Sequence, residues 1–411
     1  MMVMTRQSAT VSGTCAPTTA LSLAKCALWG IATSLVLVEA SPALAGRKTL
    51  IHKPAVANTC EKINYRKSWN ALTDAEKHEY IRAELCLMSH PPVTGLVENA
   101  TNVWDEFANI QITQGNDIRK IISLMSTVFL FLWLILLPSL LPPDYVGQFL
   151  PWHRYYVRTH ELALQQLCNY TGAHPYWDEL TDLGRGNISA SPIFDPHTGF
   201  GGNGTGTNSC VADGPFRNLT LHISNHHQRG DEFCLSRALS QSSFSTEKAA
   251  NVETCFGYAN YTDAWQCYNG NPHGGGHGGV GGLMLDPIDS CNDPLFFMHH
   301  AYLDKLWWEW QLANYPHRLV DMGGNNTAPQ YILDQAGLSQ PGADILNYDG
   351  DPGTTTTLNH TLWMNWITAN TTVGVVMQLN GSVMCAEYVI DERATIHNTS
   401  VHTEGNYVSE F

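Results

Sequence analysis

Five histidines stand where metal chemistry is easiest to build. His273 and His277 lie four positions apart in Asn271-Pro272-His273-Gly274-Gly275-Gly276-His277, a spacing that puts two imidazoles on one helical face, with Pro272 in a favourable first-turn place. His299 and His300 follow Asp293-Pro294-Leu295-Phe296-Phe297-Met298 in the opening turns of a further helix. His153 sits in Phe149-Leu150-Pro151-Trp152-His153-Arg154. Neutral imidazole suits copper in both oxidation states, and two ions sharing dioxygen ask for three imidazoles each. A lone histidine on an apolar helix is ordinarily structural, but a triplet from two neighbouring helices reverses that weighting. The glycines between His273 and His277 cost a helix about 1 kcal/mol each, so on local grounds a flexible loop is an equal reading.

The elements that must hold these residues are helical. Thr73 followed by Glu76 forms a capping-box start for a helix toward Leu87, and Pro91 and Pro92 stop it. Val103, Trp104, Phe107, Ile110 and Ile112 keep near-helical spacing over 99–118, and a second amphipathic helix covers 153–168. A third covers about 293–314, with Phe296, Leu303 and Trp307 in its buried stripe and Asp304 one turn beyond His300, where it could order the helix or a ligand imidazole. The interval 180–260 reads as long loops. From 340 onward, β-prone runs such as Thr372 to Leu379 suggest a few edge strands.

Composition narrows the function. With 22 basic against 37 acidic residues the chain repels phosphate backbones, so nucleic acid is excluded as a partner. Arg6 and Lys25, the apolar run from Ala27 to Val38 and Ala43-Leu44-Ala45 read as a signal peptide over 1–45, with a membrane-anchored tail as the alternative. Eleven N-x-S/T triplets between Asn99 and Asn398 agree with the secretory route. Beyond the leader the cysteines run from Cys60 to Cys385 and are odd in number. Disulfides are expected, at least one thiol stays free, and Cys60 with Cys86 makes a plausible local pair.

The two histidine segments together resemble the tyrosinase, catechol oxidase and haemocyanin family, and most closely its short fungal members. Asp293, Pro294, Phe296, His300 and Asp304 match the second copper motif of that family position by position. The resemblance implies His273, His277 and His300 as the ligands of that copper, CuB. Phe149, Trp152, His153, Arg154 and Glu161 match the first copper motif, and Pro175-Tyr176-Trp177-Asp178 its usual continuation. The resemblance covers about residues 60–390. It implies two copper ions, o-diphenol oxidation to o-quinone with dioxygen, monophenol hydroxylation as an added capacity, and Phe296 or a nearby aromatic stacked on the substrate ring. Gly278 follows His277 where many hydroxylating members carry Asn, which tilts the reading toward diphenols.

The first copper site departs from the family. Gln111 stands where the family has a histidine on the preceding helix, and Asp144 stands in the slot five positions before Phe149, so CuA keeps only His153 while CuB keeps all three ligands. Between them, residues 121–141 have the length and apolarity of a membrane span, yet a bilayer there would part elements that the metal site must join. A translated intron over 119–144 explains this better. Codons for Arg119-Lys120 can hold a splice donor and those for Pro143-Asp144 an acceptor, and excision keeps frame and creates a His codon five positions before Phe149. A membrane span and an authentic buried insertion are the alternatives.

The expected architecture is mainly α: an antiparallel four-helix bundle holding a dicopper site, with long loops and a few short peripheral β-strands, in one domain over 46–411 interrupted at about 119–144. The expected activity is a secreted, copper-dependent phenol oxidase acting on a phenolic small molecule and dioxygen. The alternative is a secreted copper-binding glycoprotein with an impaired CuA site and no oxidase activity. A membrane enters only if 121–141 is a real span.

Overall fold

The computed structural model describes residues 60–119, 146–227, 230–326, 351 and 354–389. The leader, Asp144 and the 121–141 run lie outside the described residues. Among those described, no helix is long and apolar enough to cross a membrane.

Helix α1 (Asp74–Leu87) begins as its sequence dictates: Thr73 accepts from the Glu76 amide while the Glu76 carboxylate returns to the Thr73 amide. It buries Tyr80, Ile81 and Leu87. Helices α2 (Val103–Arg119), α3 (Phe149–Leu167) and α6 (Leu295–Leu312) surround the histidines. Helix α3 is buried from Phe149 through Leu164, its Arg154, Arg158 and Glu161 included because they are ion-paired, and the more apolar α6 is buried along almost its whole length. Trp104 of α2 meets His160 of α3 at 5.7 Å between ring centroids and Phe107 meets Tyr156 at 5.8 Å, so these two helices run antiparallel. Likewise Phe297 of α6 stacks on His160 at 3.8 Å while His300 stacks on His153 at 3.9 Å, making α3 and α6 antiparallel.

A buried ionic network locks α3 to α6. Arg154 of α3 pairs with Asp304 of α6, and its guanidinium lies 3.7 Å over the Trp307 ring. Strand β1 (Asn64–Arg66) pairs in parallel with β8 (Ala386–Tyr388), in a register that sets Arg66 beside Tyr388. Both side chains reach into the helices. Arg66 contacts Glu161 at 3.0 Å and Asp304 at 3.3 Å, and the Tyr388 hydroxyl donates to Asp304 at 2.7 Å. Burial alone would raise the Glu161 carboxyl, but Arg66 and Arg158 hold it down at about 2.

The remaining strands are two-residue pairs at the periphery: β2 (Gly204–Thr205) with β3 (Cys210–Val211), β4 (Thr220–Leu221) with β5 (Phe233–Cys234), and β6 (Thr361–Leu362) with β7 (Thr371–Thr372). The structure is thus helix-rich with a few short strands, as the mainly α reading anticipated. Three local expectations are corrected. Cys60 does not pair with Cys86: the disulfides are Cys60–Cys385, Cys86–Cys168, Cys210–Cys234 and Cys255–Cys267, because the helix between Cys60 and Cys86 holds them apart and tertiary packing supplies nearer partners. Among the described residues Cys291 is the free thiol, and it is buried. The β-prone run after Thr372 gives way to a helical turn at Val373–Val376, whose Val373 and Val376 drop into the core. Pro272, expected in a first turn, sits inside a π-helical turn.

Candidate metal centre

That π turn explains how His273 and His277 are presented. Helix α4 (Tyr261–Tyr268), started by the Asn260 cap, runs into the π turn Asn269–His273 and on into α5 (Gly274–Val280). A π turn is wider than an α turn and accommodates the proline ring and its missing amide hydrogen. The glycines of α5 are spent on close approach. A Cβ at Gly276 would lie 2.4 Å from the His299 ring, and one at Gly279 would lie 2.9 Å from Phe244. Tertiary packing therefore overrides the local helix cost, and the loop reading gives way to a helix.

Four imidazoles converge. His273, His277, His299 and His300 each offer a ring nitrogen within 4.8 Å of those of the other three, and all four are buried. His277 Nδ1 faces the Met284 carbonyl, which only accepts, so the proton sits on Nδ1 and Nε2 keeps a lone pair. That Nε2 lies 3.4 Å from His300 Nε2, roughly the separation of two nitrogens that share one tetrahedral ion at about 2.0–2.1 Å each. Burial lowers the His299 pKa to about 3, and burial, followed by neighbouring imidazoles, holds His273 and His300 well below the usual histidine range. Neutral rings are what a metal requires. The Nδ1 of His300 and the Nε2 of His299 are buried without a hydrogen-bond partner.

His153 faces the quartet from α3. Its Nδ1 donates to the Phe149 carbonyl at 2.8 Å, and its ring lies parallel to that of His300, 7° between planes. The antiparallel register of α2 and α3, 104 against 160 and 107 against 156, carries Gln111 to the level of His153. Gln111 is buried there, and its Oε1 has no partner. Phe296 is 1% exposed and packs 4.2 Å from the His300 ring, walling the imidazoles. Asp304 bonds Arg66, Arg154 and Tyr388.

Among the described residues two other groups of potential ligands come together, but their atoms already pair with one another or with neighbours. His160 spends Nδ1 on His174 and Nε2 on Glu84, each at 3.2 Å and at opposite ring edges, which makes a hydrogen-bonded chain from Tyr80 to Glu84. In the half-exposed group of His226, Asp286 and Asp289, His226 pairs with Asp286 at 2.7 Å and Asp289 is occupied by Ser224 and the Asn225 amide. The sequence places His299 beside His300, but the second copper motif gives it no ligand role, and its partner Glu179 is not anticipated. The doubled histidine was the available signal for the first. Nothing local marked the second, which lies 120 positions away.

A helical scaffold presenting histidines from antiparallel helices to one buried point defines the class of a metal-centred helical protein. Residues 101–313 match the family model described as the common central domain of tyrosinase. The tyrosinase ustQ of Aspergillus flavus is 31% identical over 310 residues, covering 71% of this chain and 74% of that protein. The tyrosinase-like protein phomQ1 of Diaporthe leptostromiformis is 27% identical over 354 residues, covering 80% and 78%. A mutant polyphenol oxidase from Thermothelomyces thermophila shares the fold, with a TM-score of 0.58 at 24% identity over 80% of this chain and 89% of that one. The chain belongs to the tyrosinase family.

Proposed function

We propose that the chain is a copper-dependent phenol oxidase that converts o-diphenols to o-quinones with dioxygen. His273, His277 and His300 would hold CuB, and His153 is the surviving ligand of CuA. The observation that carries this reading is the 3.4 Å approach of His277 Nε2 to His300 Nε2 within a quartet of buried, neutral imidazoles. Copper bound there supplies the one-electron steps that couple removal of two electrons and two protons from a diphenol to reduction of dioxygen. The chain itself keeps the cage dry and its rings fixed. Phe149 packs 4.7 Å from His153 and 4.8 Å from His273, and Phe296 backs His300. Gly278, whose added Cβ would lie 3.0 Å from Ser243, stands where many hydroxylating members of the family carry Asn, which tilts the reading toward diphenols. Oxygen uptake with catechol by the copper-loaded protein tests the reading. It should fall to background in His300→Ala, and an unchanged rate in that variant would overturn it.

Gln111 favours a second reading, a copper-binding glycoprotein without oxidase activity, because an amide is a poor copper ligand and only His153 remains for CuA among the described residues. Copper binding without catechol-dependent oxygen uptake would select it. The four disulfides and the sequons support a secreted protein. The 119–144 segment fits a translated intron, and transcripts that carry the segment uninterrupted as the dominant message would sink that account.

A further inference from the structure

The hairpin of β6 and β7 carries at its tip an aromatic side chain that the fold leaves uncovered. Its register pairs Thr361 with Thr372 and Leu362 with Thr371, so the loop runs from Trp363 to Asn370. Met364 and Ile367 are buried in the core, whereas Trp366 stands 51% exposed. Asn365 and Trp366 both take left-handed backbone, with φ of 44° and 72°. Asn tolerates that region, but a bulky residue there is strained and its surroundings must hold it in place. The loop therefore presents an indole to solvent in a conformation that burial of the ring does little to offset.

Asn370 closes the same loop. Its Oδ1 accepts from the Met364 amide at 3.1 Å, which ties its side chain to the turn that carries Trp366. Asn370 is exposed and heads the sequon Asn370-Thr371-Thr372. We propose that Asn370 bears an N-glycan whose first sugar packs on the Trp366 indole. This rests on the reading that the chain is secreted. In the secretory route the Asn370 Nδ2 displaces a lipid-linked diphosphate from the anomeric carbon of its oligosaccharide. The N–C bond forms, the C–O bond breaks, one Nδ2 proton is lost and the diphosphate leaves on the lipid. The bond from the Met364 amide survives, because only the nitrogen is substituted. One face of a pyranose is a flat array of C–H groups, so it covers an exposed indole as another apolar ring would. The hairpin is also a clamp on α3. Trp152 Nε1 donates to the Trp363 carbonyl at 3.3 Å and the Tyr155 hydroxyl to the Ala369 carbonyl at 2.6 Å, on either side of His153 in the chain. A sugar on Trp366 thus steadies the segment that grips α3 at His153.

The test uses the full-length chain secreted from a yeast host, with glycopeptide mass spectrometry for occupancy and hydroxyl-radical footprinting for the exposure of Trp366. Asn370 should be occupied. Thr372→Val abolishes the sequon, keeps the β-branched shape and leaves Asn370 bonded to Met364, and it should raise the labelling of Trp366. Amide exchange over 363–370 should quicken by about 2–10-fold, the range for loss of one ring-on-ring contact. Trp366→Ala should quicken that exchange by more in the glycosylated chain than in the Thr372→Val background, since only the former has a sugar to lose. Should Thr372→Val fail to be secreted, enzymatic removal of the glycans from folded wild type must give the same rise in labelling. Occupancy of other sequons with Asn370 bare, or an occupied Asn370 with Trp366 labelled equally in both chains, overturns this inference alone. A chain that bears no N-glycan at all overturns the secreted reading and this inference with it.

Discussion

His153 and His300 stack face to face, their ring centroids 3.9 Å apart and their planes 7° from parallel. One comes from each histidine segment, and the stack is where α3 and α6 meet at the candidate centre. The contact itself asks only for a flat ring at each position. His153→Phe should therefore keep the fold and the copper of CuB, while His300→Phe keeps the stack and weakens copper binding at least about 100-fold. Equilibrium dialysis with metal analysis distinguishes them. Equal losses from both variants would mean that His153 is also a ligand of the same ion.

Gln111 carries the second prediction. As written, the chain should bind about one copper. Replacing Arg119 to Asp144 with a single His, together with Gln111→His, should raise the stoichiometry to two and increase catechol-dependent oxygen uptake, since three imidazoles per ion would then be present. A stoichiometry fixed at one would show that the register of α2 against α3 does not bring position 111 to His153.

Glu161 sets an acid limit on stability. Its folded pKa, about 2, lies below the ordinary 4.5, so its contribution is complete above pH 4.5 and is lost as pH falls from 4.5 toward 2. Glu161→Gln leaves Arg66 and Arg158 buried without their carboxylate, which should cost about 3–5 kcal/mol at neutral pH. Denaturant unfolding across that window should show a flatter pH dependence in the variant than in wild type.

The Cys60–Cys385 disulfide joins segments 325 positions apart and closes the ladder that delivers Arg66 and Tyr388. Cys385→Ser should lower stability by about 2–5 kcal/mol and speed amide exchange at 64–66 and 386–388 before the rest of the fold. Unchanged protection there would show that the β1–β8 pairing stands without the bond.

Much of this molecule is legible along the chain because the signals are local. The Thr73–Glu76 box starts α1, the apolar spacing of Val103 to Ile112 draws α2, and the order of the histidine segments points to a copper-binding family. The i, i+4 pair of His273 and His277 was readable as well, although its glycines spoke against a helix. That choice was made by packing, since Gly276 and Gly279 are pressed against His299 and Phe244. The partners of Asp304 were hidden, because Arg66, 238 positions away, and Tyr388 arrive on a strand pair that no local pattern announces. Glu179 behind His299 and the partners of the cysteines were hidden for the same reason. Periodicity records which face of an element is apolar, whereas an ion pair, a disulfide or a convergent lone pair depends on where distant elements finally meet.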